Sequence, residues 1–260
     1  MTGLDGKVVL VTGAGRGIGR AIALRCAAEG AALALAGRSV VELEQVADQV
    51  VGAGGRARVT PMDVQDPDSV AAAVAGVAAE LGEVDVLVAN SGVAGPTAPL
   101  WEVTPEDWDA THAVNVRGVF LSCRAVLPAM VRRAAGSVVV IGSMSGKRPM
   151  ADRTPYTSSK TALIGLVRSL AVEAGAHGIR VNLVSPGPVT GPRLDRVLDA
   201  AGLAGGRSAA EQRAEFENQS PLRHLVDPED VAAAVVFLAG EQARSITGED
   251  VNVSAGITMH

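Results

Sequence analysis

Apolar positions along the chain follow two alternating rhythms. Short runs of continuous apolar or β-branched residues recur at Lys7 to Val11, Ala32 to Ala36, Ala57 to Met62, Val84 to Ala89, Ser137 to Ile141, Arg180 to Val184 and Asp250 to Val253. Their length suits strands covered on both faces. Between them, apolar residues are spaced for helices near 17–29, 39–52, 67–81, 105–133, 155–177 and 228–239. Strand and helix in this alternation predict right-handed parallel crossovers. The expected fold is therefore α/β, a doubly wound parallel sheet of about seven strands with helices on both faces, in a single domain over 1–260. The segment 186–221 breaks the rhythm, with Pro186, Pro188 and Pro192 at its start and Gly202, Gly205 and Gly206 in its middle. It predicts a loop or helix excursion above the sheet, a mobile cover for a substrate site.

Composition narrows the picture. The chain is 48% hydrophobic but 2% aromatic, so Ala, Val, Leu and Ile must build a tightly packed core. A formal net charge of -5 argues against nucleic acid or an anionic membrane as the main partner, since both require a basic face. No leader pattern or membrane span is read from the apolar runs, and the expected location is the cytoplasm. Cys26 and Cys123 have no Cys or His neighbour at ligand spacing, so both are expected to be reduced core thiols and no metal site is expected.

Candidate chemistry starts where the first strand runs into Thr12-Gly13-Ala14-Gly15-Arg16-Gly17-Ile18-Gly19 and then a helix. Glycines here let the backbone approach a pyrophosphate at the helix N-terminus, where free amides and the macrodipole favour anions. This is the Rossmann-like arrangement, although the literal G-x-G-x-x-G spacing fails because Ile18 stands where the third glycine would be. The bland alternative is a tight connection that holds no ligand. At the end of the second strand, where an acidic residue would accept from the ribose hydroxyls of NAD, stand Gly37 and Arg38. Arg38 with Arg16 could grip a 2′-phosphate, which favours NADP(H) with NAD(H) as the alternative, unless Arg38 merely solvates the next helix. Asp63 and Val64 leave the third strand, placed to meet an adenine ring, and Asn90 and Gly92 leave the fourth. Ordinary loop chemistry competes with ligand contact at both places.

Ser143 leaves the fifth strand, and Tyr156 and Lys160 follow at i and i+4 on one helical face. An ammonium beside a phenol favours the phenolate, so Tyr156 can act as general acid in reduction and general base in oxidation. Ser143 can donate to a substrate oxygen. Asn115, a poor helix former inside a helical stretch, would extend a proton relay to Lys160 or simply bend its helix. Arg193, Asp195, Arg196 and Arg207 in the excursion could meet a polar or anionic substrate, with solvated surface charge the simpler reading.

Taken in order, the glycine turn, Asn90-Ser91-Gly92, Asn115, Ser143, Tyr156, Lys160 and Pro186-Gly187 resemble the short-chain dehydrogenase/reductase family over nearly the whole chain. The resemblance implies that Asn115, Ser143, Tyr156 and Lys160 form a catalytic tetrad. It implies that Thr12, Gly13, Gly17 and Gly19 form the cofactor turn, with Pro186, Gly187, Val189 and Thr190 near the cofactor. Thr190 falls one place early, with Gly191 at the position where a threonine typically meets the cofactor. It also implies a homotetramer or homodimer built on the Tyr-bearing helix, whose Ala162, Leu163, Ile164, Leu166, Val167 and Leu170 exceed a surface helix's needs. The expected activity is hydride transfer between NADP(H) or NAD(H) and a ketone or secondary alcohol, with 3-oxoacyl thioesters and sugars or polyols both open. A dinucleotide-binding redox sensor without turnover is the competing class.

Overall fold

The computed structural model describes residues 3–205 and 208–259, with the side chains of 200–205 left aside. Seven parallel strands form one sheet: β1 (Val8–Thr12), β2 (Ala32–Gly37), β3 (Arg56–Pro61), β4 (Val86–Ala89), β5 (Gly136–Ile141), β6 (Ile179–Pro186) and β7 (Asp250–Val253). They lie in the order β3-β2-β1-β4-β5-β6-β7. Chain order reverses between β1 and β4, and at such a switch point the strand ends diverge to leave a crevice. Val11 pairs with Leu35 on one side and Val88 on the other, so Thr12 opens directly onto that crevice.

The helices divide between the two faces. α1 (Gly17–Ala28), α2 (Val40–Gly52) and α9 (Pro228–Ala239) close one core, where Ile22, Leu43 and Val235 meet Val9, Leu33 and Val139. α3 (Pro67–Glu80), α5 (Gly118–Arg133) and α6 (Thr154–Gly175) close the other, where Val77, Val126 and Leu163 meet Leu10, Leu87 and Val138. Successive apolar strand residues serve one face and then the other, which is why the runs read as continuous rather than alternating. Cys26 is buried in the first core and Cys123 in the second, both as free thiols. Burial pushes each thiol up to about 12, with Glu29 adding to the effect at Cys26 while Arg25 opposes it.

Sequence signals set most helix starts. Asp66 accepts from the Asp68 amide ahead of α3, and Thr104 accepts from the Asp107 amide ahead of α4 (Pro105–His112). Proline occupies the first turn of both, where no amide partner is lost. The expected helix over 105–133 is continuous but not uniform: α4 passes through a π turn, Ala113–Arg117, into α5. There the Gly118 amide reaches back to the Ala113 carbonyl. By length and composition the stretch Pro105–Arg133 could cross a membrane. Its Val119, Leu121, Cys123, Val126 and Met130 are instead spent on the sheet.

The excursion after β6 is largely helical. α7 (Pro192–Gly205) is followed by α8 (Ala209–Gln219), whose Ser208–Glu211 capping box satisfies the first turn. Leu198 is buried, and its carbonyl accepts from the Gln212 side chain at 3.0 Å, joining α7 to α8. A bridge between Val189 and Val226 ties the base of the excursion to the start of α9.

Candidate active site

At the switch point the turn from β1 to α1 is held from two sides. The Gly13 amide donates to the Ala36 carbonyl at 2.7 Å, and the Asn90 side chain donates to the Thr12 carbonyl at 2.9 Å and the Gly13 carbonyl at 3.2 Å. The Thr12 hydroxyl in turn accepts from the Asn90 and Ser91 amides at 3.0 and 2.9 Å. Thr12 and Asn90 therefore fasten the ends of β1 and β4 to each other. A Cβ on Gly19 would stand 2.1 Å from the Gly13 carbonyl oxygen and 2.5 Å from Asn90 Nδ2, so only glycine allows α1 to start this close. Gly13 and Gly17 have φ of 67° and 53°, the left-handed region that favours glycine. A Cβ on Gly15 would meet Glu42 at 2.8 Å. Arg16 precedes α1 in extended conformation and no side chain caps the helix, unlike α3, α4 and α8. The first-turn amides of Gly17, Ile18 and Gly19 thus remain available, and this cradle of glycines suits a dinucleotide pyrophosphate.

Around it, Arg38 is exposed and has no hydrogen-bond or ion-pair partner among the described residues. Arg16 meets Glu42 at 3.4 Å and remains 71% exposed. The Asp63 carboxylate accepts from the Gln65 amide at 3.0 Å and so helps shape its own turn. Val64 is buried, and its side chain packs where a Cβ on Gly118 would fall, 2.8 Å from Cγ2. Only its backbone can face an adenine. Pro186 ends β6, and a Cβ on Gly187 would meet the Ser254 backbone at 2.9 Å. Val189 bridges to Val226, and the Thr190 hydroxyl donates to Asp227 at 2.9 Å, so the displaced threonine is already engaged at the start of α9.

Next to the crevice the structure brings Ser143, Tyr156, Lys160 and Asn115 together. Lys160 is buried, and its Nζ donates to the Ile141 carbonyl at 2.8 Å from a position 6.0 Å from the Tyr156 ring centroid. Burial depresses Lys160 to about 8; the nearby phenol opposes this and Arg193 adds to it. For Tyr156, burial acts to raise the phenol. Lys160, Arg193, hydrogen bonding with Ser143 and Arg153 outweigh it and hold the phenol below the ordinary tyrosine range. The phenol therefore gives up its proton more readily than an ordinary tyrosine.

Asn115 lies in the π turn and is fully buried. Its Oδ1 accepts from the Val93 amide at 2.8 Å, and its Nδ2 donates to the Val93 carbonyl at 3.1 Å and to Ser159 Oγ at 3.0 Å. The amide is thereby used in holding the loop after Gly92 against α6. A Cβ on Gly92 would meet Asn115 Oδ1 at 3.2 Å and Lys160 Nζ at 3.7 Å, so Gly92 separates the two.

Sequence reasoning passed over Arg153. Its guanidinium is 5.2 Å from the Tyr156 centroid and donates to Thr97 Oγ1 at 2.8 Å and the Ala94 carbonyl at 2.9 Å. Arg193, for which the sequence left a polar or anionic substrate open beside surface charge, stands 6.0 Å from the same centroid. The available signal was an arginine three positions before the tyrosine, on the same side of the helix start. Among the described residues no three His, Cys, Asp or Glu side chains gather as a metal site would require.

Seven parallel strands, a glycine cradle at the switch point and a phenol beside a buried ammonium define a nucleotide-dependent oxidoreductase of the Rossmann type. A family model described as enoyl-(acyl carrier protein) reductase matches residues 13–258. A D-threitol dehydrogenase from Mycolicibacterium smegmatis is 38% identical over 98% of this chain and 94% of its own length. The solved NAD+-bound xylitol dehydrogenase is 31% identical with a TM-score of 0.94, over 97% of this chain and 99% of that one. A short-chain type dehydrogenase/reductase from Mycobacterium marinum is 33% identical with a TM-score of 0.90, over 100% of this chain and 98% of that one. The chain belongs to the short-chain dehydrogenase/reductase family, and is an NAD(P)-dependent enzyme acting on CH–OH or C=O groups.

Proposed function

We propose that the enzyme interconverts a small secondary alcohol and its ketone, with Tyr156 moving the proton. The carrying observation is the Tyr156 phenol held below its ordinary range by Lys160 and the groups around it. When bound, the nicotinamide supplies or accepts the hydride. Ser143 orients the substrate oxygen toward the phenol, and Tyr156 donates its proton in reduction and withdraws it in oxidation. Lys160, fixed by the Ile141 carbonyl, stabilises the phenolate. Asn115 is a positioning residue in the relay, since its amide is committed to Val93 and Ser159. The single described unit is read as one domain, with α7 and α8 covering the substrate.

The glycine cradle with Ile18 takes the pyrophosphate, while Asp63, the Val64 backbone, Asn90 and Gly92 border the adenosine and nicotinamide ends. Pro186, Gly187, Val189 and Thr190 form the far wall. NADP(H) is the proposed cofactor because Arg38, without an ion-pair partner among the described residues, stands where NAD would need an acid. The NAD+-bound xylitol dehydrogenase keeps NAD(H) as the second reading. The names of that neighbour and of the D-threitol dehydrogenase favour a small hydroxyl-bearing substrate over an acyl thioester. A homotetramer or homodimer is proposed from α6, which leaves Ala162, Gly165 and Val172 open to a neighbour, Val172 at 82% exposure. Reduced thiols on opposite faces of the sheet accord with the cytoplasm.

The test is turnover by purified protein with panels of alcohols and ketones, for wild type and Tyr156→Phe. Loss of the hydroxyl should lower kcat on the order of 10²- to 10⁴-fold with dinucleotide affinity retained. Undiminished kcat in the variant refutes the assignment, and dinucleotide binding without turnover on any substrate would indicate the silent sensor.

A further inference from the structure

Three cationic groups crowd the Tyr156 ring, and among the described residues no carboxylate pairs with any of them. Lys160 is accounted for by the phenol. Arg153 and Arg193 are not. Elsewhere some arginines meet acids, Arg25 with Glu29, Arg58 with Glu80, Arg133 with Glu83 and Arg213 with Asp195, and Arg117, Arg196 and Arg223, which bond carbonyls, are exposed to water. Arg180, which binds only carbonyls, does so at the C-terminal end of α9, where Leu238, Ala239 and Gly240 present the negative end of the helix dipole. Arg153 has no such compensation. It is 7% exposed, and its acceptors are the Thr97 hydroxyl and the Ala94 carbonyl. Arg193, on the first turn of α7, is exposed and among the described residues bonds only the Gly92 carbonyl, at 3.2 Å.

A guanidinium removed from water without an anion is costly, and a second one facing the same phenol adds repulsion. Burial and Arg193 both lower Arg153, with only the phenol opposing them. An anion entering with the substrate would relieve both. We propose that the substrate is a hydroxy acid or the matching oxo acid, whose carboxylate is seated between Arg153 and Arg193 while its reacting carbon faces Tyr156. This rests on the reading of Tyr156 as the acid–base group. Arg153 is the fixed floor of the subsite, anchored through Thr97 and Ala94; Arg193 meets the carboxylate from the covering helix.

Each guanidinium has five N–H groups, of which Arg153 has committed two and Arg193 one, so both keep N–H groups that can meet carboxylate oxygens. The two guanidinium carbons lie 5.2 and 6.0 Å from the Tyr156 ring centroid, so a carboxylate seated between them lies beside the phenol.

The experiment compares a hydroxy acid, its methyl ester, the matching diol and the phosphorylated diol as substrates for wild type, Arg193→Leu and Arg193→Lys. Melting of the dinucleotide-loaded proteins with each compound runs alongside and reads binding without turnover. The expected result is that the acid exceeds the ester and diol in kcat/KM by about tenfold or more. Arg193→Leu should remove that preference and Arg193→Lys should restore part of it. Equal kcat/KM for acid, ester and diol overturns the carboxylate subsite while leaving the oxidoreductase reading intact. Preference for the phosphorylated diol overturns the carboxylate assignment. If nothing turns over, acid-specific stabilisation lost in Arg193→Leu upholds the subsite and sinks the reading of Tyr156 as the acid–base group. Absence of both turnover and stabilisation overturns the subsite.

Discussion

Replacing Gly19 with Ala tests whether the turn is shaped for a pyrophosphate or merely connects a strand to a helix. The added Cβ would lie 2.1 Å from the Gly13 carbonyl oxygen and 2.5 Å from Asn90 Nδ2. Ordinary carbon–oxygen contact requires the helix start to retreat by about 1 Å. Gly13 cannot yield instead, because its amide is held by Ala36 and its carbonyl by Asn90. The movement must therefore be taken by α1, whose Ala21, Ile22 and Ala23 are packed in the core. Overpacking of this kind costs on the order of 1–3 kcal/mol of stability. The same retreat draws the first-turn amides off the phosphate oxygens. Each charge-assisted hydrogen bond is worth about 1.5–3 kcal/mol, so loss of one weakens dinucleotide binding about 10- to 100-fold. Isothermal titration with the preferred dinucleotide, next to a urea melt, reads both effects. A folded variant with affinity within twofold of wild type would refute the cradle argument.

Other consequences follow from the same geometry. Arg38→Asp should raise KM for NADP(H) about 10- to 100-fold more than for NAD(H), and equal changes would remove the case for a 2′-phosphate contact. Asn115→Ala leaves the Val93 amide and carbonyl and the Ser159 hydroxyl short of partners, at roughly 1–3 kcal/mol for each group left unpaired; a chemical denaturation midpoint unchanged from wild type contradicts it. Lys160 is depressed to about 8, so between that value and the ordinary lysine range the folded state has released a proton that the unfolded state retains. Its contribution to stability therefore rises with pH across that window, and in Lys160→Met the rise should flatten. Oxidation should gain speed as Tyr156 ionises below the ordinary tyrosine range, and in Lys160→Met that gain should move to higher pH. An unmoved profile would separate the lysine from the phenol.

Much of this was legible in the sequence for a physical reason. Strands buried on both faces must be apolar throughout, so Val8–Thr12 and Gly136–Ile141 announce themselves, while Pro67 and Pro228 mark helix starts because their missing amides are harmless there. Ser143, Tyr156 and Lys160 could be placed together because a strand exit and one helical turn fix their spacing. The excursion was harder. Leu194, Val197 and Leu198 carry the α7 pattern, but the surrounding prolines and glycines obscure it. Roles that depend on partners distant in sequence were not legible. Thr12 and Asn90 read as ligand contacts, yet they also fasten two strand ends across the crevice. Arg153 shows its meaning only once its acceptors prove to be neutral.

The π turn at Ala113–Arg117 puts two rotational frames into what looks like one helix. An inserted residue turns everything after it by about 100° about the axis while leaving its direction almost unchanged. α4 can thus face α6 while α5 faces the sheet, and neither surface has to compromise for the other. Substitutions upstream and downstream of the turn should be judged against separate helical wheels. The change to which Asn115 is most exposed is then one of length: deleting a single residue within 113–117 would bring the two frames into phase and turn its amide away from Val93.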